Sequence, residues 1–166
     1  MSDRQSVRIL FEYAIAAEYY ARELYREFAR LFAADSGVAA FWQRYTAEEM
    51  GHARWLEQLL KKLPPETCDA PADVDRLEAA RHIIKVPLPN ALAKVETLED
   101  AYQLAHELES SEMNTIFEFL LFTFADDPQA TQFARDQLHE HVARLSEGFP
   151  QSYTRVPSRR AFRAAA

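Results

Sequence analysis

A chain of 166 residues with 48% hydrophobic content carries enough apolar side chains for one domain with a full-sized core. Three glycines and one cysteine, Cys68, exclude a β-sandwich with many glycine turns, the glycine-rich phosphate loops, a disulfide framework, a zinc ribbon and a four-cysteine iron site. A net charge of -7 argues against nucleic acid as a partner, and the lack of a spanning apolar run or a secretory leader makes a cytoplasmic, membrane-free protein the expectation.

The first helix is predicted from about Ser6 to Ala33, because Leu10, Ala14, Ala17, Ala21, Leu24 and Phe28 recur at spacings of three and four. Asp35-Ser36-Gly37 supplies a stop and a new N-cap. A second helix, about Val38 to Leu63, places Phe41, Tyr45, Leu56 and Leu59 on one face and ends at Pro64-Pro65. Two long helices with a short connection fold back as an antiparallel hairpin. Residues 64–96 hold Pro64, Pro65, Pro71, Pro87 and Pro89, so this segment reads as a crossover with one short helix, about Asp73 to Ile84.

Thr97 with Asp100 forms a capping-box pattern that opens a third helix, predicted as continuous to about Phe124. Its stripe is Tyr102, Ala105, Glu109, Glu112, Ile116, Phe119 and Thr123. Asp126-Asp127-Pro128 restarts the chain. The fourth helix carries Ala134, Leu138, His141 and Leu145 in line and stops at Gly148. The expected fold is all-α: an antiparallel four-helix bundle over residues 1–148, made of two hairpins, a long crossover and one short extra helix. A basic tail follows over residues 149–166, with Arg155, Arg159, Arg160 and Arg163, and it is expected to be flexible.

Ionised carboxylates are costly in a core unless they have partners, yet all four stripes contain polar residues. Glu18 lies between Ala14 and Ala21; Glu49 and His52 follow Tyr45; Glu109 and Glu112 interrupt the third stripe; His141 sits between Leu138 and Leu145. In Glu49-x-x-His52 and Glu109-x-x-Glu112 a spacing of three puts both members on one face. Four inward carboxylates repel one another without a cation. Oxygen ligands mixed with imidazole suit iron or manganese, with zinc as an alternative, and two divalent ions neutralise the four charges. Glu48, Glu107 and Glu118 read as solvent-facing or off the stripe, and His82, His106 and His139 as surface groups or groups behind the ligands, with His106 one turn before Glu109 and placed to orient it. Tyr25, Tyr45 and Tyr102 read as core packing.

These motifs resemble the rubrerythrin di-iron domain of the ferritin-like proteins. AIAAEYYARELY is similar to its first-helix motif, EEMGHARWL to its second, ELESSE to its third-helix Glu-x-x-Glu and HVARL to the stretch around its fourth-helix histidine. The resemblance implies a ferritin-like bundle holding two iron ions through Glu18, Glu49, His52, Glu109, Glu112 and His141, with no catalytic residues beyond these ligands. It also implies reduction of peroxide or dioxygen, with His52 and Glu112 exchanging at one iron as its oxidation state changes. Where the family has a bridging glutamate three residues before the fourth-helix histidine, this chain has Leu138, so the ion near His141 is expected to be held more weakly. Shifting the register to Asp136-x-x-His139 restores a carboxylate but abandons the apolar stripe, which favours His141.

With no four-cysteine domain, electrons would come from a separate protein. The competing readings are metal binding or storage without turnover, which Leu138 favours, and a decayed helical module whose tail recruits a partner. Phe11, Trp42, Trp55 and Phe122 suggest more apolar surface than one bundle absorbs, hence a homodimer.

Overall fold

The computed structural model describes residues 5–148, so the basic tail lies outside the described residues. Eight helices follow in order among them: α1 (Val7–Leu31), α2 (Ser36–Lys62), α3 (Pro65–Cys68), α4 (Val74–Ile83), α5 (Leu88–Leu92), α6 (Leu98–Glu109), α7 (Met113–Phe124) and α8 (Pro128–Gly148). The long helices α1, α2, α6–α7 and α8 form the expected bundle. The crossover holds three short helices where the proline pattern predicted one. Pro64 and Pro87 each stand at an N-cap and leave the following residues free to make one helical turn.

Local chemistry explains the long elements. In α1, Val7, Leu10, Phe11, Ala14, Ala17, Ala21, Leu24, Tyr25 and Phe28 form the buried face. Asp35 caps α2 by accepting from the backbone N–H of Gly37 (3.0 Å) and Val38 (3.1 Å). The α1–α2 hairpin is antiparallel: Phe28 meets Trp42 at 5.0 Å between ring centroids, while Glu18, further back on α1, meets His52, further on along α2. Thr97 and Asp100 make both bonds of the capping box that opens α6. Asp127 accepts from Gln129 and Ala130 at the start of α8. The start of α1 is tied to the crossover, since Val7 N–H donates to Ala70 O (2.9 Å) and Ala72 N–H to Gln5 O (2.8 Å).

The third long helix is broken, which corrects the expectation of one continuous helix. A continuous helix needs Met113 N–H to bond Glu109 O. Asn114 Nδ2 instead donates to that carbonyl (2.9 Å), and Met113 N–H turns to Ser111 Oγ (3.3 Å). Serine and asparagine side chains thus replace the backbone partners at Ser110–Glu112. The break also moves the buried face of α7 to Met113, Ile116, Phe117, Leu120 and Leu121, leaving Thr123 exposed.

Two apolar clusters fill the bundle. One is aliphatic and phenylalanine-rich, with Leu10, Phe11, Leu56, Ile116, Phe117, Leu120 and Leu138. The other is built around Leu24, Tyr25, Phe28, Trp42 and Tyr45. Phe11 and Trp42 are wholly buried within the chain, so of the four residues read as surplus apolar surface only Phe122 is exposed. Glu18, Glu49, His52, Glu109 and His141 lie between the two clusters, with the His52 ring against Phe117 of the first and the His141 ring against Tyr45 of the second.

Candidate metal centre

Glu18, Glu49, Glu109 and His141 are at most 4% exposed and His52 is 8% exposed, so these ionisable groups have little water to solvate them. Alanines at 14, 17 and 21 flank Glu18 on the buried face of α1 and leave room beside it. Glu49 is the hub. Its Oε2 lies 3.0 Å from His52 Nδ1, and its Oε1 lies 2.9 Å from His141 Nε2. Glu18 Oε2 is 3.5 Å from His52 Nδ1, and Glu109 Oε1 is 3.2 Å from His141 Nε2. Two groups result, Glu18–Glu49–His52 and Glu49–Glu109–His141, and within each the ligand atoms lie within 4.8 Å of one another.

Of the six residues expected around the metals, the structure brings these five together and leaves Glu112 out. Glu112 is exposed at the N-cap of α7, because the break at Ser110–Glu112 ends the face on which Glu109 lies. His141 is buried on the Ala134, Leu138, Leu145 stripe. His139 and Asp136 are exposed, the first against Glu118 and the second bonded by Gln132. Leu138 belongs to the aliphatic cluster one turn before His141.

Protons balance the charges in the metal-free cluster. Burial opposes a charge on His52, but Glu49 and Glu18 push its pKa up to about 10. Burial likewise opposes a charge on His141, which Glu49, Glu109 and Glu48 outweigh, holding it well above the usual imidazole range. Burial also works against the Glu49 carboxylate, yet His141 and His52 keep its pKa below the ordinary value. Glu18 is pushed up to about 8, by burial first, despite the His52 imidazole nearby.

The donor set fits metal ions. His141 directs its Nε2 hydrogen at Glu109 Oε1, which leaves Glu49 Oε1 without an aligned donor at 2.9 Å. Glu18 Oε2 is also buried and accepts no hydrogen bond. Buried carboxylate oxygens of this kind are ordinarily paired. Ions held at about 2.0–2.2 Å put their ligands up to about 4.4 Å apart, close to the spacing found here. Three carboxylates and two imidazoles, with one carboxylate facing both groups, match a centre for two ions that shares Glu49.

Several residues that touch these ligands were read otherwise from the sequence. Glu48 is half-buried, not solvent-facing: its Oε2 is 2.6 Å from His141 Nδ1, and Arg144 Nη1 donates to both of its oxygens at 2.8 Å. Arg44 donates to it as well (3.0 Å). Burial opposes the Glu48 charge, but His141, Arg44 and Arg144 lower its pKa to about 2. Tyr25 donates its hydroxyl to Glu109 Oε1 while its ring stacks on Trp42 at 5.6 Å. Asn114 Nδ2 reaches Glu109 Oε2 (3.0 Å), and Tyr45 donates to the backbone carbonyl of His141 (2.8 Å). Arg44 and Arg144, each one helical turn from a residue of this network, were the sequence signal for Glu48. Tyr25 and Tyr45 gave none, since a tyrosine on a core stripe reads the same whether or not its hydroxyl finds a carboxylate.

No curated protein and no solved structure matches the chain significantly. Residues 10–121 match the rubrerythrin family, a stretch that includes Glu18, Glu49, His52 and Glu109 and stops before α8. With that match spanning most of a helical bundle whose centre gathers carboxylates and histidines, the chain belongs to the rubrerythrin family.

Proposed function

We propose that this protein holds two iron ions between its helices and reduces peroxide or dioxygen with electrons from a separate electron-transfer protein. The observation that carries this reading is the pair of Glu/His groups sharing Glu49, because a carboxylate facing both positions keeps two ions within reach of one small substrate. When bound, two ferrous ions supply the two electrons that peroxide reduction requires. Glu18, Glu49 and Glu109 would hold the ions and favour the ferric state by their charge, with His52 and His141 as the imidazole ligands. Tyr25 and Asn114 fix the Glu109 carboxylate, and Glu48 fixes the ring of His141. The test is anaerobic loading with ferrous iron followed by peroxide. Binding of two ions per chain and rapid, peroxide-dependent ferric absorbance support the reading; ferrous protein that peroxide leaves unchanged refutes it.

A second reading, metal binding without turnover, draws on Leu138 and Glu112. The first puts hydrocarbon where the family has a bridging carboxylate, and the second stands outside the cluster. Two-ion binding with no peroxide reaction selects it. We also propose a homodimer in the cytoplasm, on the exposed Phe122 and Phe133 and the single unpaired Cys68, with light scattering as the check on assembly.

A further inference from the structure

Between α2 and α8 lies a cavity of about 330 Å³, at the small end of the range for small-molecule sites. Small residues create it: Ala47 and Gly51 on α2 face Ala134 on α8. A Cβ built on Gly51 meets no atom within 4 Å, so the glycine borders open space. His52 and His141 both line the cavity, one from each of the two ligand groups. A molecule lying there therefore touches both halves of the metal centre.

The lining has two characters. Trp55 and Phe117 supply an apolar wall, and Phe117 packs on the His52 ring at 4.9 Å between centroids. Arg44, Arg144, Glu48 and Glu140 supply the polar part, two cations against two carboxylates. Both arginines are already bonded to Glu48, and the two histidines face Glu18, Glu49 and Glu109, so each cation of the lining already has a carboxylate partner and none is left over for an anionic head group. Hydrogen peroxide alone is far smaller than this space, given about 30 Å³ per water in the liquid.

We infer that this cavity binds a small neutral molecule with an apolar body and an oxygen head group, the organic hydroperoxides being the reactive members of that class. The head group points at His52 and His141 and the body lies on Trp55 and Phe117. Gly51 sets the size limit. The identification of hydroperoxides rests on the proposed peroxide chemistry; the shape and polarity of the site do not.

The experiment compares the full-length protein with Gly51→Leu and Gly51→Ala. Leucine projects a branched four-carbon side chain into the cavity, while alanine adds one methyl to open space. Both should fold, since glycine is the poorest helix former after proline and neither change touches a ligand. Circular dichroism and metal content serve as the check. Titration with 2-phenyl-2-propanol, the unreactive alcohol of cumene hydroperoxide, is followed by calorimetry and by the indole and imidazole NMR signals. Saturable binding that shifts Trp55 and His52, survives in Gly51→Ala and weakens about tenfold or more in Gly51→Leu supports the site. No binding to the parent, or equal binding to parent and Gly51→Leu, overturns it. With iron loaded, Gly51→Leu should slow oxidation by cumene hydroperoxide about tenfold and leave the rate with hydrogen peroxide within about twofold. Alcohol binding without oxidation by either peroxide keeps the site and removes the peroxide chemistry. Oxidation by hydrogen peroxide without alcohol binding removes the site alone.

Discussion

In the group of Glu18, Glu49 and His52, every ligand comes from the α1–α2 hairpin. Among the described residues, no side chain outside the two ligand groups hydrogen-bonds to Glu18 or His52. In the group of Glu49, Glu109 and His141, three elements converge and the surroundings are dense with donors and acceptors: Tyr25 and Asn114 on Glu109, Glu48 and Tyr45 on His141, Arg44 and Arg144 behind Glu48. One half is held by mutual attraction of charges, the other by a hydrogen-bonded frame. Fixed surroundings orient a ligand before the ion arrives, whereas charge alone leaves the geometry to be set by the ion. The frame stands in the half that holds His141, one turn after Leu138 of the aliphatic cluster.

The largest effect should come from removing what the halves share. Glu49→Gln deletes the charge that faces both positions, and metal analysis should find both depleted; full occupancy in the variant would rule out the shared ligand. Glu49→Ala should in addition destabilise the metal-free protein by about 3–5 kcal/mol, because it leaves protonated histidines buried without their main partner. Leu138→Glu comes next. It should tighten the ion near His141, quicken ferrous oxidation, and raise the melting temperature gained on iron loading above that of the parent. Unchanged stoichiometry and rate would mean that residue 138 does not reach the metals.

Glu48→Ala should separate the halves more finely. Loss of the acceptor behind His141 is expected to weaken the ion in that half about 10- to 100-fold and spare the other, with Glu48→Gln in between, as read by cobalt absorption during titration. Equal weakening at both ions would show that the frame acts on the whole centre.

The smallest effect is the pH dependence of stability. His52 has a folded pKa of about 10 against 6.5 unperturbed, so its contribution is complete below pH 6.5 and is lost as pH rises through 10. Glu18, raised from 4.5 to about 8, also binds more protons when folded, so stability falls between those values. Glu48, lowered to about 2, has the opposite sign: its contribution is present above 4.5 and disappears as pH falls toward 2. The metal-free protein should therefore melt highest in mildly acid buffer. The gain on metal loading should widen from pH 5 to 8, because ions displace the protons the cluster otherwise carries. A metal-free melting temperature that climbs steadily from pH 5 to 9 would contradict this.

Polar residues on apolar stripes made much of the centre legible in the sequence. Glu18, Glu49, His52, Glu109 and His141 interrupt faces whose other members are alanine, leucine or aromatic, and the structure gathers those five. Glu112 continued the same periodicity, but spacing does not register that Asn114 and Ser111 compete for backbone partners and end the helix before it. Glu48 was hidden for the reverse reason. It lies off the stripe by one position, yet it faces α8, and its partners on that helix, His141 and Arg144, are 93 and 96 residues away. The capping residues Asp35 and Thr97 act within their own turn and were readable, while the short helices of the crossover depend on prolines that forbid long helices without specifying short ones.

The α1–α2 hairpin carries Glu18, Glu49 and His52 on two consecutive elements. During synthesis from the N-terminus these ligands emerge together, and the hairpin forms through contacts that are local in sequence, the kind that form fastest. Glu109 and His141 follow only after the crossover. The order of the ligands along the chain thus puts one whole group within the first hairpin, and Phe117 of α7, which packs on the His52 ring, reaches it only later in the sequence.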